Sequence, residues 1–341
     1  MDKKLILAVA GSGKTHYIVN QIQKDKRYLI ITYTETSKNN LQKCIIERFK
    51  NFPNNITLET YFTFLYSFCI QPFLADKYKL NGLLFDSNKD MYATNFRRYL
   101  TNNKRLFYNR AAKFTEYTGL QNKIIKRLEN YYQYLCIDEI QDFAGRDFNL
   151  LENITKANIN YLFVGDFFQH TFDTSRDGNV NQSLHDNFEK YKDRFRKMNF
   201  DIDPTILIKS WRCSPIVCNY IRDNLKIDIK SHKETNVQIR YIIDKSEIKR
   251  IIENNDIIKL FYEDHNKYKC WSKNWGKCKS ENDYIDVCVV LNNNTLKLYN
   301  ENKLHELARI TLNKLYVAIS RANRNVYFIA EKDIKDYKIG K

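Results

Sequence analysis

Short apolar runs at residues 5–9, 28–33, 134–137 and 161–164 alternate with longer stretches in which apolar residues return every three or four positions. The runs predict buried strands and the longer stretches predict helices, the pattern of a parallel α/β sheet. The alternation restarts at 205–208, 237–243, 257–261, 284–291 and 325–330. Two α/β units in tandem are expected, residues 1–200 and 201–341. The boundary follows a charged helix at 187–198, with no Pro/Gly/Ser linker to mark it. Residues 71–130 break the rhythm with twelve Lys or Arg, five Asp or Glu and ten Phe or Tyr. This stretch reads as a mainly helical insertion. Its basic and aromatic residues either track phosphates and stack bases or divide between a charged surface and an aromatic core.

Composition narrows the class. With 43% hydrophobic residues, nine Gly and four Pro in 341 residues, the chain is globular rather than disordered or collagenous. No apolar run approaches a membrane span and no secretory signal is visible, so a cytoplasmic protein without a membrane role is expected. The eight Cys lie in apolar runs, as reduced buried thiols do. His265, Cys270 and Cys278 lack a fourth ligand at finger spacing, which argues against zinc. Lys and Arg exceed Asp and Glu by 56 to 40, a formal +16. That field attracts polyanions such as nucleic acid, although a Lys- and Asn-rich composition alone also produces it.

The chemistry begins at Ala8-Val9-Ala10-Gly11-Ser12-Gly13-Lys14-Thr15, after a predicted strand and before a predicted helix. This is the context of a phosphate-binding loop. The N–H groups of Ala10, Gly11, Ser12 and Gly13 turn toward phosphates, Lys14 reaches the β and γ phosphates of ATP, and Thr15 ligates Mg²⁺. Leu135-Cys136-Ile137-Asp138-Glu139-Ile140-Gln141-Asp142 ends a second strand in paired carboxylates. Asp138 is suited to holding Mg²⁺ and Glu139 to acting as general base toward water. The strand after it ends in Val164-Gly165-Asp166-Phe167-Phe168-Gln169, which puts the Gln169 amide where a γ phosphate or attacking water is sensed.

In this order the motifs resemble those of the UvrD/Rep group of superfamily 1 helicases: AVAGSGKT, IDEIQD and VGDFFQ are similar to motifs I, II and III. Ile31-Thr32-Tyr33-Thr34 resembles motif Ia, and Thr60-Tyr61-Phe62-Thr63-Phe64 resembles the TxHxF of motif Ib with Phe62 in place of His. The resemblance implies that Thr32, Tyr33, Thr60 and Phe64 face single-stranded DNA and that Phe172 stacks on a base; core packing is the other reading of each aromatic. Lys209-Ser210-Trp211-Arg212-Cys213-Ser214 resembles motif IV, and Leu315-Tyr316-Val317-Ala318-Ile319-Ser320-Arg321-Ala322 resembles motif VI. By the same resemblance Arg212 and Arg321 are arginine fingers on the γ phosphate, and Trp211 stacks on adenine.

The implied protein has two tandem RecA-like P-loop NTPase domains and is an ATP- and Mg²⁺-dependent helicase or translocase moving 3′ to 5′ on single-stranded DNA, with RNA left open. The departures motivate an alternative. The loop lies too near Met1 for the family's adenine-reading Gln motif, which leaves nucleobase choice open. Motif V is at best Gly276-Lys277-Cys278-Lys279-Ser280-Glu281, and motifs IV and VI lie too close together for the large second-domain insertion. The alternative is a nucleic-acid-sensing ATPase switch that regulates a partner nuclease or defence effector without unwinding.

Overall fold

The computed structural model describes residues 1–86, 93–171, 179–235, 237–279 and 284–339. The chain divides into two compact units. One comprises Met1–Ile6, Lys14–Gly165 and Phe172–Asp203; the other comprises Leu7–Gly13, Asp166–Thr171 and Pro204–Lys341. The fold is α/β, and each unit is built on a parallel sheet.

The first sheet has six strands, β1 (Lys3–Leu7), β2 (Tyr28–Thr32), β3 (Ile56–Thr60), β4 (Tyr134–Asp138), β5 (Asn160–Gly165) and β6 (Asp201–Asp203), in the order β3-β2-β4-β5-β1-β6. β2 is buried at every position and β4 and β5 at all but their first. Such runs are apolar on both faces because helices cover both faces of a parallel sheet. The edge strand β6 pairs with Lys4–Ile6 of β1 through backbone groups while carrying two aspartates, as edge strands tolerate. Here the structure corrects the sequence reading: residues 205–208 form a turn, and the short strand lies just before them.

Helix Glu35–Phe49 shows why the elements end where they do. The Thr34 side chain accepts the Ser37 N–H at its start, and Lys50 closes it in the left-handed conformation with φ 67°. The insertion holds helices Gln71–Tyr78, Ala111–Tyr117 and Gln121–Tyr131, with a two-residue parallel pairing of Leu83–Leu84 on Leu106–Phe107. Phe114, Leu120, Ile124 and Leu128 fill its interior, so part of its aromatic content is core.

The second sheet has five strands, β7 (Ile239–Tyr241), β8 (Ile257–Phe261), β9 (Ser272–Asn274), β10 (Asp286–Leu291) and β11 (Val326–Ala330), in the order β7-β11-β10-β8-β9. Its core includes Trp275, whose indole N–H donates to the Leu260 carbonyl at 2.8 Å. Helix Arg309–Ile319 packs into this core with seven buried residues, Asn313 and Tyr316 among them. Among the described residues, no helix is long and apolar enough to cross a membrane.

Candidate functional site

The phosphate loop leaves β1 and runs straight into helix Lys14–Asn20. Gly11 and Gly13 take φ of 69° and 89°, left-handed values that cost a side-chain-bearing residue free energy. Gly11 is also sterically required: a methyl group there would lie 2.7 Å from Arg212 Cβ and 2.8 Å from Ser210 Oγ. The Trp211 N–H donates to the Gly11 carbonyl at 2.8 Å, and Ser12 is buried. Trp211 is 63% exposed and stacks on His232 with centroids 3.8 Å apart and an interplanar angle of 12°. That is a flat platform of the kind a nucleobase covers. These contacts all lie within the second unit.

In the first unit β4 delivers the carboxylates. Asp138 is buried and accepts the Glu139 N–H at 3.0 Å. Glu139 takes φ 58°, a left-handed conformation whose cost of about 1–3 kcal/mol the surroundings must offset and which concentrates at functional positions. Lys14 Nζ stands 3.6 Å from one Glu139 oxygen, and the Gln141 amide donates to the other. Gly165, at the end of β5, lets this turn pack closely, since a methyl there would fall 2.3 Å from Gln141 Oε1 and 3.0 Å from the Ile140 nitrogen. Thr15, the second residue of its helix, is half-buried. The buried Asp138 carboxylate and the Thr15 hydroxyl are oxygen donors of the kind suited to Mg²⁺, which takes one or two protein ligands and completes its shell with water and phosphate. Among the described residues no cluster of three His, Cys, Asp or Glu offers a metal cage of its own.

The second unit holds the amide and the arginines. Asp166, fully buried, accepts from the Phe168 N–H at 3.1 Å, the Gln169 amide at 3.0 Å and the Tyr316 hydroxyl at 2.9 Å. The same hydroxyl accepts the Ala10 N–H at 2.8 Å. Sequence reasoning gave no role to Asp166 or Tyr316. Both sit inside quoted motifs, and nothing in spacing alone reveals that residues 150 apart touch. Arg212 donates to the Ser320 carbonyl at 3.2 Å and the buried Arg321 to the Lys279 carbonyl at 2.6 Å. Burial first, and then the like charge of Arg321, push the Arg212 guanidinium down to about 9. An anion between these groups would relieve both penalties.

The nucleic-acid residues divide. Thr32 is fully buried at the end of β2, and Thr60 is buried and caps the turn that follows β3. Phe64 faces inward, 1% exposed and stacked on Phe68 at 5.4 Å. This corrects its reading as a DNA contact: the Thr60-capped turn aims it into the core. Phe172 lies outside the described residues, as do Ser280 and Glu281 of the motif V stretch, whose residues from Trp275 to Cys278 form a single turn. Tyr33 is partly exposed and meets Phe62 edge-on at 5.5 Å. Phe62 in turn touches Phe85 at 5.4 Å and Tyr108 at 5.6 Å. Phe85 is 63% exposed and stacked on Tyr108 at 5.7 Å. Sequence reasoning did not single out Phe85 and Tyr108, which share an aromatic-rich insertion with rings that turn out to be core.

Residues 84–181 match the UvrD/REP helicase N-terminal domain. Arterivirus nonstructural protein 10 (helicase), in a complex structure with DNA, aligns over 96% of this chain and 60% of its own at 12% identity, with a TM-score of 0.51. The PRRSV helicase aligns over 96% of this chain and 52% of its own at 11% identity, with a TM-score of 0.47. The chain thus spans between about half and 60% of the length of these helicases. No curated protein matches the sequence. The chain resembles the UvrD/Rep-like superfamily 1 helicases, in sequence over the matched segment and in its α/β fold.

Proposed function

We propose that the protein is an ATP-dependent motor that hydrolyses ATP to move 3′ to 5′ along single-stranded DNA, with residues 1–200 and 201–341 as its two RecA-like domains. The observation that carries this reading is Glu139, held in a left-handed turn 3.6 Å from Lys14. A half-buried carboxylate parked on the phosphate-loop lysine is a base waiting for its substrate. When the triphosphate enters the loop, Lys14 turns to the β and γ oxygens and releases Glu139. Glu139 then takes a proton from water as the water oxygen bonds to the γ phosphorus. The bond to the β–γ bridging oxygen breaks, leaving ADP and phosphate. Thr15 and Asp138 are the residues that would hold Mg²⁺, which when bound would supply positive charge to the phosphates. Gln169 orients the water, Arg212 and Arg321 meet the growing negative charge, and Trp211 stacks the base. The strand is gripped through Tyr33, Phe62, Phe85 and Tyr108, rings that stack without reading sequence, and the basic insertion follows its phosphates.

The test is steady-state ATP hydrolysis with and without single-stranded DNA or RNA, beside strand displacement on a 3′-tailed duplex. Lys14→Ala is the blank, and Glu139→Gln is expected to bind ATP without turning it over. DNA-stimulated hydrolysis with strand separation supports the motor. Stimulated hydrolysis without separation moves the reading to a translocase or a nucleic-acid-sensing switch that needs a partner. Wild-type rates in either variant overturn the assigned site.

A further inference from the structure

We propose that Tyr316 is a positioning residue for nucleotide hydrolysis: one buried hydroxyl ties the phosphate loop at Ala10 to the Asp166 carboxylate and thereby aims Gln169. The role rests on the hydrolytic reading above.

A phenol offers one proton and accepts at its oxygen, and both capacities are in use. The hydroxyl donates to Asp166 Oδ2 at 2.9 Å and accepts the Ala10 N–H at 2.8 Å. Burial first, and then Asp166, push the Tyr316 phenol well above its usual value, so it keeps the proton it donates. Asp166 Oδ2 also accepts from Gln169 Nε2 at 3.0 Å. With that nitrogen committed, the amide presents its oxygen, the end that accepts a hydrogen bond from an attacking water and so orients it.

The tie is firm at both ends. Tyr316 is fully buried in helix Arg309–Ile319, its ring edge-on to Phe168 at 6.2 Å. The same helix anchors the end of the Gln169 turn, where Asn313 Nδ2 donates to the His170 carbonyl at 2.8 Å. All of these residues lie in the second unit. Buried polar networks of this kind act as units, so removing one member disturbs them all. No local feature of Gln169 requires a tyrosine 147 positions later, yet its orientation runs through that oxygen.

Tyr316→Phe keeps the ring and deletes the tie. The expected result is a loss of kcat of about tenfold or more with KM for ATP changed less than about threefold, because aim is lost and phosphate binding is kept. Asp166→Asn should give the same split, and Tyr316→Phe with Asp166→Asn should lose little more than the worse single variant. The Asp166 variant carries the test if Tyr316→Phe fails to fold. Wild-type kcat in a folded Tyr316→Phe, or losses that multiply in the double variant, overturn the role while leaving the hydrolytic reading intact. Amide exchange at Ala10 without nucleotide separates the two failures. Exchange that quickens in Tyr316→Phe, in a protein whose wild type hydrolyses nothing, overturns the hydrolytic reading and this role with it.

Discussion

Gly165→Ala is the smallest change that tests whether the end of β5 holds Glu139, the proposed general base, in place. The new methyl would lie 2.3 Å from Gln141 Oε1, 2.7 Å from Ile140 Cγ2 and 3.0 Å from the Ile140 nitrogen. Ordinary contact begins near 3.5 Å, so the amide must retreat by about 1 Å and the isoleucine by nearly as much. Overpacking of this size costs about 1–3 kcal/mol, which lowers the unfolding midpoint of a unit this large by about 3–10 °C. The catalytic cost is larger, because the atom most easily displaced belongs to the side chain that donates to Glu139. A displacement of about 1 Å near a reacting group costs on the order of 100-fold in rate. Initial rates at saturating ATP, read beside thermal unfolding, separate the two effects: kcat should fall far more than the folded fraction. Gln141→Ala in the same chain removes the closest contact and should return part of the lost stability without restoring kcat. A Gly165→Ala protein within twofold of wild-type kcat and with an unchanged midpoint would refute the packing argument and the placement of Glu139 with it.

Phe85→Ala should weaken single-stranded oligonucleotide binding by about 1–3 kcal/mol, the worth of one stacked base, and leave ATP hydrolysis without nucleic acid unchanged. Phe64→Ala should do the reverse, costing about 3–5 kcal/mol of stability as a core truncation with little effect on binding per folded molecule; fluorescence anisotropy and thermal unfolding read the pair. Arg212 gives a pH dependence whose sign follows from its environment. Its charged form is disfavoured in the anion-free protein, a penalty fully present below about 9 and relieved by a bound anion, so binding favours the protonated guanidinium. ATP affinity should therefore hold steady up to pH 8 and decline as pH rises through about 9, and Arg212→Gln should abolish that decline in a ligand-dependent unfolding assay.

The parts of the site readable in the sequence are those whose chemistry lies in consecutive residues. A loop that turns on glycines and ends in Lys14 and Thr15 needs one chain segment, as does a strand ending in Asp138 and Glu139. Buried strands were legible for a related reason, since β2, β4 and β8 are buried at nearly every position and mostly apolar, which leaves the pattern little choice. Residues 205–208 misled because their apolar content looks like a strand, whereas sheet membership at an edge is decided by backbone pairing. Asp201–Asp203 won that place with two charged side chains. Phe64 misled differently: its spacing from Thr60 fits a contact motif, and only the rotation of the capped turn decides which ring meets solvent and which meets Phe68.

Gly11 shows where sequence logic is correct and still incomplete. Read in the chain, it frees an N–H to face a phosphate, and its φ of 69° agrees with that demand. A second demand comes from 200 residues away, because Arg212 Cβ and Ser210 Oγ occupy the space a side chain would need. The two are separable in principle: asparagine tolerates the left-handed conformation yet cannot shrink its Cβ. Gly11→Asn therefore meets the first requirement and violates the second. What it perturbs is the packing of Trp211 and Arg212 onto the loop, a relation that no motif spells out because its two halves are never neighbours in the sequence.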